Sequence, residues 1–512
     1  MFDNQPKGLY ALALANTGER FGYYTMLAIF VLFLQSNFGW SEGLTGTVYA
    51  TFLMLVYFLP IAGGAVADRI GFGRCVTIGI VVMFLGYLLL AVPAGSGALA
   101  VTLMTAALLF ISVGTSLFKG NLQVMVGKLY DDPKYQSRRD SGFSIFYMAI
   151  NIGALFAPTA ATKLHAWAME SLGASEASAY HYAFAVACLS LVVSIAIYYG
   201  TRSTFAHVDN TAKRGEVRAA AQKSADKRAE TPEDKADTRS RLVALFLVFA
   251  VVIFFWMAFH QNGLTLTYFA RDMTQTTATG VMGMLFDVTN ILALIVTVYA
   301  LFALFQGKTS RAKTVAGLVV VACAAFLGYK YSLTAGETVN VDVPIFQQFN
   351  PCFVVMLTPV SIAFFGWLAS RGKEPSAPRK IGYGMLIAAV GFVVMILASV
   401  GLSYHADGYP ADDPQRVSPM WLVGTYLVLT FAELFLSPMG ISFVSKVAPQ
   451  KYQGLMMGCW FGATAIGNFL VQIPAHLWNK VPLTVVWGVL VALCLASFIF
   501  IFSMMKKLEK VC

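Results

Sequence analysis

Long apolar runs separated by short polar loops recur from one end of this 512-residue chain to the other. Six runs precede a polar stretch, at 9–35, 44–67, 74–93, 98–127, 143–163 and 181–200. Eight more follow it, at 241–269, 281–305, 312–332, 345–369, 381–402, 420–446, 455–475 and 483–505. Because a helix needs about 20 apolar residues to cross the hydrocarbon core of a bilayer, this pattern predicts an all-α polytopic membrane protein with fourteen transmembrane helices.

The polar stretch after the sixth run predicts how the chain is divided. Residues 201–240 contain DKRAETPEDKADTRSR and few apolar side chains, which is typical of a solvated linker. We therefore expect an N-terminal six-helix bundle over 1–200, a charged cytoplasmic linker over 201–240 and a C-terminal bundle over 241–512. The C-terminal bundle has two runs more than the first, and we assign this inserted helix pair to about 281–332.

Composition and charge support the same class of protein. The chain is 58% hydrophobic and 12% charged, with a mean hydropathy of +0.68, which is too apolar for a soluble protein of this length. Lys and Arg outnumber Asp and Glu by 36 to 26, and they gather in alternate loops on the side of the N-terminus. The positive-inside rule then predicts that both termini are cytoplasmic, and this placement of the charge gives no reason to expect nucleic-acid binding. The first run is too long for a cleavable signal peptide, so we expect it to be retained.

The reactive side chains do not form an enzyme motif. The seven cysteines show no CxxC spacing and lie mostly within the spans, which predicts neither a disulfide framework nor a zinc site. The six histidines form no HExxH, and no GxSxG is present. We therefore expect no catalytic activity and no cofactor. A receptor is also disfavoured, because no exterior loop is long enough to form a ligand-binding domain.

Charged side chains within the spans are the strongest functional signal. Glu19 and Arg20 stand in NTGERFGYYTM of the first run, Lys119 in the fourth and Glu433 in the twelfth. A charge at the bilayer centre costs about 2.5 to 3.5 kcal/mol on insertion scales, so such residues normally face a partner or a water-filled cavity. A zwitterionic solute needs a cationic and an anionic site several ångströms apart, and these residues can supply both.

Each end of a zwitterion has suitable partners among these residues. Arg20 can take a carboxylate with its bidentate fork and Lys119 can take it as a point charge, while Tyr24 donates a hydroxyl. Glu433 can take an ammonium together with the amide oxygens of Asn151 and Asn350.

The loop between the second and third runs is a candidate latch. GGAVADRIGFGR places Asp68 and Arg69 at a helix end and turns through glycines towards Arg74. Ion pairs of these three residues could hold two helices together on the cytoplasmic side. This loop and the two six-helix halves resemble the major facilitator superfamily.

Further motifs resemble one family within that superfamily, the proton-coupled oligopeptide transporters. GERFGYYTM is similar to the family's ExxERFxYY motif, GTSLFKGNLQVMVG to its fourth-span GTGxxKPN stretch and FYMAINIGALFAP to its fifth-span FYxxINxGSL signature. FQQFNPCFV resembles FxSxNPxF, and FAELFLSPMGISFVSKVAP with MMGCWF resembles the tenth and eleventh spans. The resemblance implies the major facilitator fold, with two six-helix bundles and two extra helices, in an atypical bacterial member of the inner membrane.

The resemblance also implies roles for individual residues. Residues that would hold the carboxyl end of a peptide are Arg20, Tyr23, Tyr24 and Lys119, and those that would hold the amino end are Asn151, Asn350 and Glu433. Trp460 and Tyr57 would line the space for peptide side chains.

Departures from the family pattern affect the expected proton coupling. Asn16 stands where the first motif begins with a glutamate, and His260 stands where the seventh span usually carries an acid. The remaining proton-coupling candidates are Glu19, His260 and Glu433. Histidine is a candidate because its unperturbed pKa is about 6.5. The inserted pair also departs from the pattern, since it follows the seventh span here and precedes it in bacterial relatives.

The resemblance implies secondary active import of di- and tripeptides by alternating access, with proton coupling through this atypical set of groups. Two alternatives stay open: a carrier of another zwitterionic or anionic solute, and a peptide facilitator or exchanger without proton coupling. The expected partners are small peptides, protons and the lipid bilayer, and we expect a monomer.

Overall fold

The structure is a computed structural model that describes residues 4–209, 232–307, 309–402, 409–410, 413–449 and 452–511. Its first half contains α1 (Lys7–Phe38), α2 (Glu42–Phe58), α3 (Pro60–Ile70), α4 (Phe72–Ala91), α5 (Ala98–Lys128), α6 (Arg139–Leu172) and α7 (Glu176–Gly200). Its second half contains α8 (Pro232–Phe259), α9 (Thr265–Asp272), α10 (Gly280–Met284), α11 (Val288–Gln306), α12 (Ser310–Thr334), α13 (Phe349–Ser370), α14 (Ala377–Ala398), α15 (Met420–Val447), α16 (Gln453–Leu470), α17 (Gln472–Leu477), α18 (Leu483–Ser503) and α19 (Met505–Glu509). Short 3₁₀ turns span Gln136–Arg138, Arg202–Thr204, Ala206–Val208, His260–Gly263 and Val343–Gln348.

Fourteen helical spans in the described residues are long and apolar enough to cross a membrane, which confirms the predicted class of polytopic helical protein. An even number of crossings places both ends of the chain on the same side of the membrane. We call that side the terminal face and the opposite side, which holds the loop at 39–41, the distal face. In the first half α1 packs against α6 and α7, and in the second half α14 packs against α15 and α18.

Several of the spans are interrupted, among them the second and the seventh. Pro60 ends α2 and begins α3, because a proline inside a helix lacks the N–H that the ladder requires. The seventh span changes to a 3₁₀ turn at His260–Gly263 before α9 resumes. A Cβ at Gly263 would lie 2.1 Å from the hydroxyl of Tyr49 in the other half, so only glycine permits this approach.

The predicted linker lies largely outside the described residues, which resume at position 232. Its described start consists of two short 3₁₀ turns and ends at Asp209, whose Oδ1 accepts a hydrogen bond of 2.6 Å from the backbone N–H of Gly73. Helix α8 begins at Pro232, inside the segment that we predicted as linker, because its first turns are rich in charged helix-forming residues.

The inserted pair forms a helical hairpin, α11 and α12, whose outer ends meet on the distal face. Strand β1 (Thr277–Thr279) precedes it and strand β2 (Thr338–Asn340) follows it, and the two pair antiparallel. The first helix of the pair begins later than the predicted position 281, because Asp287 caps it by accepting a hydrogen bond of 2.8 Å from the N–H of Thr289.

Asp287 also clamps the two helices of the hairpin together, since its Oδ2 lies 2.7 Å from the ammonium nitrogen of Lys330. Partial burial alone would raise the pKa of the Asp287 carboxyl. Hydrogen bonds from Lys330 and Thr289 nevertheless hold this pKa below its usual value. The stabilisation by this clamp is therefore complete above the ordinary carboxyl pKa of about 3.9 and is lost as pH falls through the lowered value.

Candidate functional site

A buried ion pair on α1 forms one side of the central site. The side chains of Glu19 and Arg20 are 0% and 3% exposed, and two hydrogen bonds of 2.5 Å join the guanidinium to the carboxylate. The guanidinium carbon of Arg20 lies 4.7 Å from the ring centroid of Tyr23. A Cβ at Gly153 of α6 would lie 2.7 Å from the carbonyl of Thr17, so this glycine lets α6 pack directly against the pair. Arg20 is thus fully neutralised by its neighbour.

Lys119 of α5 has a different environment. Its ammonium nitrogen lies 4.3 Å from the ring centroid of Tyr57 on α2, and it is half-buried. In the described part of the chain no carboxylate comes within ion-pairing distance of Lys119, although the charges of Arg20 and Glu19 act on it. A cation–π contact leaves the three donors of the ammonium available. Lys119 is therefore a cation ready to bind an anionic group.

Glu433 of α15 forms the opposite side of the site and is 8% exposed. Its Oε2 accepts a hydrogen bond of 2.9 Å from the Nδ2 of Asn350 on α13, which also donates to Thr430. Its Oε1 accepts a hydrogen bond of 3.2 Å from the hydroxyl of Tyr147 on α6, in the other half. Among the described residues Glu433 has no basic partner. The site thus contains an acid without a basic partner, Glu433, opposite a cation without an acidic partner, Lys119.

Tyr24 is close to both sides of the site. The charges of Arg20 and Glu433 both act on this half-buried residue. Its ring meets that of Tyr23 edge to face, with a centroid distance of 5.3 Å. Asn151 lies one helical turn from Tyr147, but its Nδ2 donates 3.0 Å to the Tyr147 carbonyl within α6. The amide that contacts Glu433 is therefore that of Asn350, and the cross-half contact is made by Tyr147.

His260 lies at the 3₁₀ break of the seventh span, beside the central site. Its ring stacks on Trp256 at a centroid distance of 5.2 Å and lies 6.0 Å from the ring of Tyr57 in the other half. Its buried Nδ1 has no partner in hydrogen-bond geometry, and neither have the amide atoms of the fully buried Asn468. Asn16, where the family pattern has an acid, likewise keeps its buried Nδ2 unpaired.

Trp460 lies within the second half and is 3% exposed. A Cβ at Gly440 would lie 1.8 Å from its indole ring, and its centroid lies 6.2 Å from that of Phe249. These contacts are packing contacts between α8, α15 and α16. In the structure Tyr57 lies at the charged site, whereas Trp460 is packed against residues of its own half.

The predicted latch makes no ion pair in the described part of the chain. Arg69 and Arg74 are exposed and form no ion pair with a described carboxylate, and the side chain of Asp68 lies outside the described residues. Gly71 turns the chain between α3 and α4 with a positive φ of 102°, as the glycine-rich loop predicts.

An ion pair between the halves lies instead on the distal face. The Nη2 of Arg271, at the end of α9, is 3.2 Å from the Oε1 of Glu42, which begins α2. Arg271 also contacts Gln35 of α1 and pairs with Asp272 in its own helix. Thr47 donates 3.0 Å to Gln472 on the same face. Sequence analysis had not assigned Glu42 or Arg271, although Arg271 is one of the few basic residues of the distal loops.

The loop between α14 and α15 is fastened to this distal cluster. The buried guanidinium of Arg416 donates to four backbone carbonyls, those of Arg271, Thr274, Tyr409 and Pro410. Burial lowers the pKa of Arg416 from its usual value, and the carbonyl oxygens supply the hydrogen bonds that a buried charge requires. The end of α9 is thereby held rigidly, which fixes the position of Arg271.

Comparison with known proteins relates this site to one family. The sequence profile of the POT family matches residues 74–220 and 329–490. The chain is 28% identical over an alignment of 541 residues to the uncharacterized transporter YclF of Bacillus subtilis (strain 168), which covers 99% of this chain and 95% of that protein. It is 28% identical over 494 residues to the peptide transporter YePEPT of Yersinia enterocolitica, covering 91% and 87%. The di-/tripeptide transporter of Lactococcus lactis subsp. lactis is also 28% identical, covering 90% and 87%.

Solved structures share the fold over the whole chain. The peptide transporter POT in complex with sulfate superimposes with a TM-score of 0.72 at 24% identity, covering all of this chain and 96% of that one. A POT family transporter in complex with a thioalcohol-conjugated peptide gives a TM-score of 0.74 at 20% identity, covering 99% and 98%. The family profile does not match residues 221–328, which include the seventh span and most of the inserted hairpin.

Proposed function

Because this chain belongs to the POT family of peptide transporters, with the major facilitator superfamily fold, we propose that it imports di- and tripeptides by alternating access. Uptake is coupled to protons through an atypical set of titratable groups. The observation that supports this proposal is the pair of unmatched charges, Lys119 in one half and Glu433 in the other. A free peptide carries a carboxylate and an ammonium, so it can match both of them at once.

The proposed binding pose follows from which charged groups of the site already have a partner of opposite charge. Lys119 receives the peptide carboxylate first, because Arg20 is occupied by Glu19. Arg20 joins the carboxylate as its bond to Glu19 loosens, and Tyr23 and Tyr24 line this end of the peptide. Glu433 receives the ammonium together with the side-chain oxygen of Asn350. Tyr147 gives up its hydrogen bond to Glu433 when the ammonium arrives.

The remaining assigned residues surround this pose. Asn151 orients Tyr147 from one turn away and Tyr57 lines the space for peptide side chains. Trp460 supports the wall of that space from within the second half. Asp68, Arg69 and Arg74 pair on the terminal face when the site opens to the distal face.

The contacts between the halves support one particular state of the proposed cycle. Within the described part of the chain, hydrogen bonds and ion pairs between the halves lie at mid-depth or on the distal face. The terminal face is the cytoplasmic one in our proposal, so this arrangement corresponds to a carrier that is closed to the outside. Alternating access then requires the pair of Arg271 and Glu42 to break while contacts form on the terminal face.

The experiment that tests the function is uptake of a labelled dipeptide by purified protein in liposomes. We expect accumulation that depends on an inward proton gradient and on an imposed membrane potential. Exchange of peptide without gradient-driven accumulation would favour the uncoupled facilitator. Neither accumulation nor exchange, in protein shown to be folded, would favour a carrier of another zwitterionic or anionic solute.

His260 is the group that we expect to add pH dependence to this uptake. Its unpaired Nδ1 can take a proton beside Tyr57 without breaking an existing hydrogen bond. Uptake by the wild-type protein should rise as the external pH falls, because protonation of His260 from the outside becomes more frequent. His260→Gln should flatten most of this rise and keep uptake by exchange. His476→Gln, on the distal face, is the matched control. An unchanged pH profile in His260→Gln would assign the coupling to Glu19 or Glu433.

The distal pair of Arg271 and Glu42 provides a test of alternating access. Arg271→Gln should shift the population of the distal-open state by about fivefold, as loss of a partly exposed ion pair is worth about 1 kcal/mol. Double electron–electron resonance between spin labels at Ser36→Cys and Lys480→Cys, in a background free of native cysteines, should show a longer distance in this variant. Arg241→Gln breaks an ion pair within one helix and should leave the distance unchanged. Equal distances in wild type and Arg271→Gln would remove the gating role.

A further inference from the structure

An apolar cavity of about 830 Å³ lies between the two halves, away from the charged site. The first half contributes α6, with Met148 and Ile152, and the second half contributes the inserted hairpin and Val355 of α13. The cavity therefore occupies the space between the hairpin and the two bundles. Because it lies at the depth of the membrane spans, lipid and not water is the solvent that surrounds it.

The polar groups of this cavity are all near one end. Tyr299 reaches into it, but its hydroxyl already donates 3.1 Å to the carbonyl of Val355. The other polar side chains are Thr309 and Arg311, at the turn between α11 and α12 on the terminal face. No described acidic side chain lines the cavity, and Arg311 forms no ion pair with any described residue. Among the described residues that line the cavity, Arg311 is thus the one cation, and it stands unpaired at the mouth of an apolar space.

The dimensions of the cavity match one leaflet of a bilayer. Its lining on α11 extends from Leu292 to Ala303, which corresponds to about 16 Å along a helix. Half of the hydrocarbon core is about 15 Å thick. An acyl chain that enters at the level of Arg311 can therefore lie along α11 without leaving its own leaflet.

We propose that this cavity binds one anionic phospholipid, whose phosphate contacts Arg311 and Thr309 and whose acyl chain lies between α6, α11 and α12. Charge complementarity favours a headgroup of net negative charge, because the ammonium of a zwitterionic headgroup competes with the guanidinium of Arg311 for the phosphate. Apolar contact alone would not distinguish this lipid from any other.

The proposed lipid would lie one helix away from the charged site. Tyr147 and Asn151 of α6 belong to that site, and their chain neighbours Met148 and Ile152 line the cavity. A rocking movement of the halves changes the distance between α6 and the hairpin. A flexible acyl chain keeps this changing space filled, which a fixed side chain cannot do.

Native mass spectrometry of the full-length protein tests the proposal without measuring transport. The protein in detergent is titrated with phosphatidylglycerol and with phosphatidylethanolamine of the same acyl chains. We expect one phosphatidylglycerol to bind at least about fivefold more tightly than phosphatidylethanolamine, as one basic contact near the membrane surface provides. Arg311→Gln changes an exposed side chain and should bring the two lipids to equal affinity.

Two further variants distinguish lipid binding in the cavity from lipid binding elsewhere on the membrane-facing surface. Ala303→Phe places a bulky ring in the cavity, which should obstruct it and remove the first binding step of both lipids. Leu318→Phe places the same side chain on α12 at a position that is 65% exposed and does not line the cavity, so it should leave both affinities unchanged. Equal affinities in the wild-type protein, or an undiminished preference in Arg311→Gln, would overturn the proposal. Tight phosphatidylglycerol binding by Ala303→Phe would exclude the cavity as the site.

Discussion

Replacing Glu433 with Gln should reduce peptide uptake by more than about 100-fold. The variant keeps a side-chain oxygen for Asn350 or Tyr147, so packing around position 433 is preserved. It removes the carboxylate that pairs with the peptide ammonium, and a buried charge left without its partner costs about 3 to 5 kcal/mol, which exceeds a factor of 100. Initial uptake rates in liposomes, together with thermal unfolding in detergent, measure the two effects separately.

A peptide without an ammonium group provides a second test of the same assignment. Wild-type protein should discriminate strongly against an N-acetylated dipeptide, which lacks the ammonium, and Glu433→Gln should not discriminate. Glu176→Gln makes the same chemical change at an exposed position and should transport normally. Undiminished uptake by Glu433→Gln would show that the amino end of the peptide binds elsewhere.

Lys119→Gln should raise the KM for a dipeptide by about 10- to 100-fold and leave the protein folded. A hydrogen bond to a charged group is worth about 1.5 to 3 kcal/mol, and Lys119 supplies it without being needed to neutralise a described acid. Wild type should prefer a free carboxylate to a C-terminal amide, and Lys119→Gln should lose that preference. Lys480→Gln, an exposed lysine of the distal face, is the matched control. An unchanged KM in Lys119→Gln would exclude this lysine from the carboxyl end.

Arg20 should behave differently, although it belongs to the same end of the site. Arg20→Gln leaves the fully buried Glu19 without its cation, so we expect poor folding as well as lost uptake. The double variant Glu19→Gln/Arg20→Gln removes both charges and should restore folding without restoring uptake. Uptake by this double variant at the wild-type rate would limit the ion pair to a structural role.

Hydrophobic pattern alone was sufficient to predict the number of spans, because each one must cover the thickness of a bilayer. The same pattern does not report how a helix is rotated about its axis. The sequence pattern predicts that Asn151 helps to bind the amino end of a peptide, but it does not show that Tyr147 is the residue of α6 that contacts Glu433 in this structure. Tyr147 could have been suggested by its place in FYMAINIGALFAP, since it precedes Asn151 by one turn.

Contacts between the halves were the least accessible to sequence analysis. Glu42 and Arg271 are 229 positions apart, and only the arrangement of both bundles brings them together. The candidate latch loop could be recognised in the sequence because its residues are close together in the chain. Their closeness does not indicate in which conformational state they would pair. By contrast, the contact between Glu19 and Arg20 could be predicted, because neighbouring opposite charges in an apolar span have few other partners.

The pairing of β1 with β2 gives the inserted hairpin the character of a removable module. Thr279 and Thr338 are partners in the ribbon, so the chain enters and leaves the hairpin at one point. Two membrane crossings that start and end on the same face do not reverse the orientation of any later helix. Such a unit can be gained, lost or moved between loops during evolution while both six-helix bundles keep their topology. That neutrality permits a hairpin after the seventh span without any change in the two bundles.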